Sequence, residues 1–332
     1  MSDLPLILIL TLFLSLLYAF TNGARDSGNA IATLVSERIV SPRMAVLICA
    51  VMNLLGALLG TAVALTVAKG LIHIHVIADC QTLALSALTG AILWHGVTRF
   101  FNLPSSSFHG LIGGLCGAAV AAGGWQALQY GTIFRKVLLP IIFTPVGGLV
   151  LSFLLTAVLV RLTLPMHPRV GDYLFQRLQL FSSAFMALSH GMNDAQKAAG
   201  VITLALFSFH RISLGEVTLW VRVICALAMA LGTIYGGLRI IRKRRYKVFE
   251  LQSLHGFVSG LSSAVVTLCF SLTGAPISTT HVYASTIVGA GSSKRLSGVR
   301  WGIARSIIVV WILTIPAAAL MGALVFHLST MI

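Results

Sequence analysis

Gly23-Ala24-Arg25-Asp26-Ser27-Gly28-Asn29-Ala30 and Gly191-Met192-Asn193-Asp194-Ala195-Gln196-Lys197-Ala198 are two copies of one pattern, set about half a chain apart inside apolar stretches. Each carries an acid and a fixed cation where hydrocarbon disfavours both. Ionisable groups inside spans are expensive and mark functional sites by default. Their recurrence in register makes this a duplicated membrane protein with a polar site at its centre.

The rest of the chain agrees. Apolar residues make up 57% and charged residues 9%, against about 25% charged in soluble domains. Mean hydropathy is +0.95, and apolar runs long enough to span hydrocarbon recur throughout. The net charge of +15 does not signal nucleic acid, because the basic residues form short clusters between spans, as positive-inside loops do. Cys49, Cys80, Cys116, Cys225 and Cys269 share no metal-ligand spacing and read as small packing residues. The segment from Leu4 to Phe20 has a signal-like apolar core. It lacks a basic flank and runs directly into the Asp26 motif, so it reads as a retained first span.

Hydropathy gives five membrane elements per half. They fall near residues 4–35, 44–68, 80–101, 104–126 and 137–160, then near 178–206, 216–238, 250–272, 276–292 and 301–328. Asp26 maps to Asp194 with a shift of 168. Gly60-Thr61 maps to Gly232-Thr233, and Pro104, Ser106 and His109 to Pro276, Ser278 and His281, with a shift of 172. An odd number of spans per repeat turns the second half upside down. With the N-terminus outside, fifteen basic residues fall in inner loops (among them Arg38, Arg239 to Lys247, Lys294, Arg295 and Arg300) and four in outer loops. That asymmetry favours ten crossings with both termini extracytoplasmic. It does not separate crossings from re-entrant hairpins at the fourth element of each half. The expected architecture is an all-α integral membrane protein of two inverted-topology repeats, with broken helices. An N-terminal repeat spans 1–160, a cytoplasmic linker 161–177 and an inverted C-terminal repeat 178–332. Compactness and minimal loops suggest a bacterial-type plasma (inner) membrane.

Of eight Asp and Glu residues, Asp26 and Asp194 alone lie deep in spans. Small residues around both let a helix break and its backbone approach a ligand. The bland alternative is a neutralised intrahelical pair, Asp26 with Arg25 and Asp194 with Lys197. Pro104-Ser105-Ser106-Ser107 and Pro276-Ile277-Ser278-Thr279-Thr280 read as helix starts, with proline suited to the first turn. Hydroxyls beside free backbone N–H groups at such a start bind phosphate or a similar oxyanion without lysine. Plain N-capping is the alternative. His109 and His281 match across the repeats, and His190 precedes the second acid motif. Each is a candidate proton relay or a local hydrogen-bonding group. His95 and His255 lack repeat mates and read as structural. Arg222 and Arg305 read as snorkelling or carbonyl-paired.

These residues resemble the inorganic phosphate transporter (PiT) family over essentially the whole length. The resemblance rests on Asn22-Gly23 with Asp26 and Asn29-Ala30, Pro104 to Ser107, Ser189-His190-Gly191 with Asn193-Asp194, and Pro276 with Ser278 to His281. It implies an inverted-repeat fold, a homodimer, and inward movement of phosphate with sodium or protons. In sodium-coupled members it implies that Asn and Asp of the two acid motifs ligate the cation and that the Ser/Thr runs hold phosphate. The sodium-type pattern reads Gly-Ala-Asn-Asp, two residues, then Asn-Ala in both repeats. Here Arg25 replaces the first Asn of copy one and Lys197 the second Asn of copy two, while Asn29 and Asn193 survive. Neither Arg nor Lys has an acceptor for sodium.

The expectation is a secondary transporter importing inorganic phosphate, proton-coupled and sodium-independent, with no cofactor and no structural metal. Ser105, Ser106, Ser107, Ser278, Thr279 and Thr280 line the anion site. Asp26, Asn29, Asn193 and Asp194 serve coupling, and Arg25 and Lys197 act as tethered cations. The nearest alternative is a transporter of sulfate or a metal–phosphate complex. The alternative from another class is an intramembrane lipid phosphatase. Pro104 to His109 only loosely echoes that motif, at the wrong spacing, and a second copy has no place in it.

Overall fold

The computed structural model describes residues 6–26, 28–36, 39–101, 105–209, 211–213, 215–242, 253–293 and 301–331. Arg38, Pro104, Lys243 to Lys247, Lys294, Arg295 and Arg300 lie outside them, as do the side chains of Asn29, Arg242 and Arg305.

Among the described residues, each of the ten apolar stretches is mainly helical. The first comprises α1 (Leu6–Asp26) and α2 (Gly28–Ser36), and the second α3 (Pro42–Leu58) and α4 (Ala62–Leu65), the latter prolonged by a π-helical turn to Gly70. Next come α5 (Cys80–Phe100) and α6 (Ser107–Gly123), then α7 (Tyr130–Ile133), which continues through a π-helical turn into α8 (Leu139–Thr163). The second half holds α9 (Pro168–Ser208), α10 (Leu219–Arg242), α11 (Ser253–Leu272), α12 (Thr279–Ser292) and α13 (Trp301–Thr330). The stretch expected as a linker is divided between the end of α8, a short turn and the first turns of α9.

Local chemistry sets these boundaries. Ser41 caps α3 through the Met44 N–H, with Pro42 in the first turn. Asp79 caps α5 through the N–H groups of Gln81 and Thr82. α3 and α4 bend by 59° at their break. The freed N–H groups of Val63 and Ala64 donate to Gln196 Oε1 on α9, at 2.9 and 3.3 Å. A broken helix in lipid needs such a substitute acceptor.

Among the described residues, five helices are long and apolar enough to cross a membrane, six if the bent α3–α4 pair is one span. Exposed Phe13, Leu55, Phe143, Leu154, Leu231 and Leu320 form part of the apolar exterior such a protein turns to lipid. The protein is thus an all-helical, multi-pass membrane protein. α6 has 17 residues and α12 has 14.

The halves pack by exchange. α1 lies on α10, and α9 on α3. α6 lies on α13, and α12 on α8. Glycine permits the closest of these approaches. A Cβ at Gly23 would fall 2.1 Å from Met229 O on α10, and one at Gly191 would fall 2.1 Å from Asn53 O on α3.

One expectation needs correction here. α9 runs unbroken for 41 residues through the second acid motif. Gly191 serves contact with the α3 backbone rather than a helix break.

Candidate functional site

The serine-rich starts of α6 and α12 meet. The rings of His109 and His281, both buried, stand edge to face with centroids 4.7 Å apart. Ser106 is the N-cap of α6, in extended conformation, and accepts from the His109 N–H at 3.4 Å. Ser278 is the extended N-cap of α12. Its hydroxyl is buried and has no hydrogen-bond partner among the described residues. The first N–H groups of each helix have no intrahelical acceptor. Two positive helix ends therefore converge on one buried place. Pro276 corrects the proline expectation, since it precedes the cap and lies in the extended lead rather than in the first turn.

The acids sit against these tips in matched fashion. Ser107, the first residue of α6, donates to Asp26 Oδ2 at a long 3.5 Å. Thr279, the first residue of α12, donates to Asp194 Oδ2 at 3.1 Å. His190 Nε2 lies 2.8 Å from the same Asp194 oxygen. Asp26, His190 and Asp194 each bring one ligand atom to within 4.8 Å of the others. The cation held at Asp194 is the ammonium of Lys197, which forms a buried ion pair with its Oδ1.

The two fixed cations grip equivalent carbonyls. Lys197 donates to Ile277 O at 2.6 Å and lies over the Phe108 ring at 5.0 Å. Arg25 donates to Ser105 O at 3.1 Å. Ile277 and Ser105 each immediately precede an N-cap, so either cation tethers one tip. The intrahelical pair of the bland alternative forms, among the described residues, only at Lys197. Among the described residues no ion pair joins Arg25 to Asp26, because the guanidinium turns to His95 Nδ1 at 2.9 Å instead. Asn193 fastens the lead of α12, donating to Ser271 Oγ at 2.7 Å and accepting from the Ile277 N–H at 3.3 Å.

Of the remaining expected residues, the Ser105 hydroxyl pairs with Thr98 at 2.7 Å, outside the cluster of acids. Thr280 is half-buried one residue beyond Thr279. The structure does not describe the Asn29 side chain. Arg222 pairs with the Leu58 carbonyl.

Several residues that touch the site were not singled out from the sequence. Tyr18 donates its hydroxyl to Ser107 O at 3.0 Å and packs edge-on against His95. His95, which reads as structural in the sequence, holds Arg25. Asn53, fully buried on α3, meets His190 Nδ1 at 2.9 Å. A lone Asn in an apolar span was a signal available for it.

The comparisons agree with one another. The description "Phosphate transporter family" matches residues 22–322. The chain is 36% identical to a "Probable low-affinity inorganic phosphate transporter" of Bacillus subtilis, with 100% of both chains covered. It is 38% identical to one of the same description from Rhizobium meliloti, covering 96% of this chain and 95% of that one. For the one from Mycobacterium tuberculosis the identity is 39%, covering 97% and 77%. A solved structure titled "The sodium-dependent phosphate transporter" superimposes with a TM-score of 0.87 at 24% identity, covering 98% of this chain and 99% of that one. At that identity the likeness shows the fold alone.

Proposed function

The chain belongs to the phosphate transporter family, and from that premise we propose that it carries inorganic phosphate across the membrane, coupled to protons rather than sodium. This is transporter chemistry, not enzyme chemistry. The single observation that carries the reading is the meeting of two serine-capped helix starts, each with an aspartate against its first hydroxyl. Two positive helix ends offer N–H and O–H donors to a tetrahedral anion from opposite sides. The free Ser278 hydroxyl is one such donor.

The fixed cations carry the coupling argument. Lys197 bridges Asp194 and the Ile277 carbonyl, an oxygen set that would suit a bound monovalent cation. Arg25, Lys197, Asp26 and Asp194 sum to zero before phosphate arrives. An arriving anion then favours uptake of a proton by the site. Asp26 faces one hydroxyl at 3.5 Å and is the acid left with room to change charge. His190 lies beside it, and His109 and His281 supply further relay groups at the two helix starts. Phosphate is preferred to sulfate because it carries a proton at neutral pH that such acids can exchange.

Exchange packing of the halves supports inverted repeats over 1–160 and 178–332. The shortness of α12, about 21 Å of helix against roughly 30 Å of hydrocarbon, supports re-entrant half-helices. Both termini outside a plasma membrane, and a homodimer, complete the proposal.

The test is labelled phosphate uptake by purified protein in liposomes, with sodium and pH gradients set independently and unlabelled sulfate as competitor. Uptake should follow the pH gradient, ignore sodium and resist sulfate. Uptake that needs sodium and ignores pH contradicts the coupling, and efficient competition by sulfate contradicts the choice of anion.

A further inference from the structure

The matched Gly60-Thr61 and Gly232-Thr233 pairs have no part in the mechanism above, yet Thr233 connects to it. Thr233 is fully buried on α10 and donates its hydroxyl to Met229 O at 3.0 Å. With that proton committed, its oxygen is an acceptor, and Asn53 Nδ2 donates to it at 3.0 Å. The Asn53 amide is thereby oriented, leaving Oδ1 toward His190 Nδ1 at 2.9 Å. A carbonyl oxygen can only accept, so His190 carries hydrogen on Nδ1. The opposite amide orientation would set Asn53 Oδ1 against a Thr233 oxygen whose hydrogen is already spent. Nε2 then faces Asp194 Oδ2 at 2.8 Å.

We propose that Asn53, oriented by Thr233, is a positioning residue that fixes His190 with Nδ1–H on α3 and Nε2 on Asp194. This rests on the reading that Asp194 and His190 belong to the transport site. The wire runs across three helices, α10, α3 and α9, so it ties the acid motif of the second half to the first half. With Nδ1–H committed, the Nε2–carboxylate contact is bridged by hydrogen only when ring or acid holds an extra proton. The repeat mate of His190 is Asn22, which has no ring to orient.

The experiment uses the full-length protein in liposomes and reads the maximal rate and KM for labelled phosphate separately. Thr233→Val keeps shape and removes the hydroxyl, while Thr233→Ser restores it. Thr233→Val should lower the maximal rate on the order of 5- to 10-fold, the usual effect of an unmade buried hydrogen bond, with KM within about twofold. Thr233→Ser should recover the rate. His190→Ala should impair uptake, and adding Thr233→Val to it should cost nothing more, because both act through one group. A Thr233→Val rate equal to wild type, no recovery in Thr233→Ser, or losses that multiply in the double variant overturns the positioning role. Normal uptake by His190→Ala instead overturns the reading of the site beneath it. Nitrogen-15 spectra of histidine-labelled protein, with the His190 signal assigned by His190→Ala, test the same point independently of rate. A hydrogen on Nδ1 is expected, and a bare Nδ1 refutes the proposal.

Discussion

Replacing Lys197 with asparagine probes the site at its most constrained point. The side chain is fully buried, and its ammonium is shared between Asp194 and the Ile277 carbonyl. Removing one member of a buried ion pair costs about 3–5 kcal/mol, because the partner charge is left uncompensated. Asp194 keeps His190 and Thr279 as neighbours, so Lys197→Asn should lose about 3 kcal/mol, the low end of that range. The substitution also restores a neutral oxygen at the position where the sodium-type pattern has Asn. A cation bound there would return about 1.4 kcal/mol at ten times its dissociation constant and about 2.7 kcal/mol at one hundred times. The assay is thermal unfolding of the solubilised protein, titrated with sodium chloride against choline chloride at constant ionic strength. The wild-type transition should not move with sodium. The Lys197→Asn transition should start lower and climb with sodium. A wild-type transition that rises with sodium, or a Lys197→Asn protein as stable as wild type in choline, would refute the idea that the ammonium substitutes for a bound ion.

The two acids should differ in stability while agreeing in function. Asp26→Asn disturbs one long contact to Ser107 and should cost about 1 kcal/mol or less, whereas Asp194→Asn strands Lys197 and should cost about 3–5 kcal/mol. Denaturation of both proteins checks the order, uptake assays should find coupled transport lost in both, and equal destabilisation would contradict the pairing described. Glycine substitutions test the exchanged packing: Gly191→Ala pushes a methyl to 2.1 Å from Asn53 O and should cost about 1–3 kcal/mol through strain. Gly96→Ala on α5 meets nothing within 4 Å and should be neutral or gain about 0.5–1 kcal/mol. A Gly191→Ala protein as stable as Gly96→Ala would mean that α3 and α9 do not touch there.

Much of the site was legible because it is written twice. Asp26 and Asp194, Ser107 and Thr279, and His109 and His281 are paired by offset in the sequence; in the fold Ser107 meets Asp26, Thr279 meets Asp194, the two acids come within 4.8 Å, and the two histidine rings lie edge to face. Residues whose type is not repeated at the matching position were harder to read. His95 and Asn53 reach the site from α5 and α3, and nothing in their spacing to the acid motifs marks them. The small residues Gly191 and Ala195 beside Asp194 suggested a broken helix, since a glycine that permits a break and one that admits a neighbouring backbone are identical in sequence. At Gly191 it is the neighbour, Asn53 O, that explains the residue.

The sequence alone determined the membrane class, the two serine-rich helix starts and the presence of charge inside apolar stretches. Those follow from transfer energies and capping preferences, which depend on residue type and local spacing. Tertiary structure decided which partner each charge takes. Lys197 stays with its own Asp194, three residues away on one helix turn, while Arg25 turns from Asp26 to His95 and the Ser105 carbonyl. That choice depends on which helices cross beside each motif, and the crossing is set by the exchanged packing of the two halves rather than by either motif.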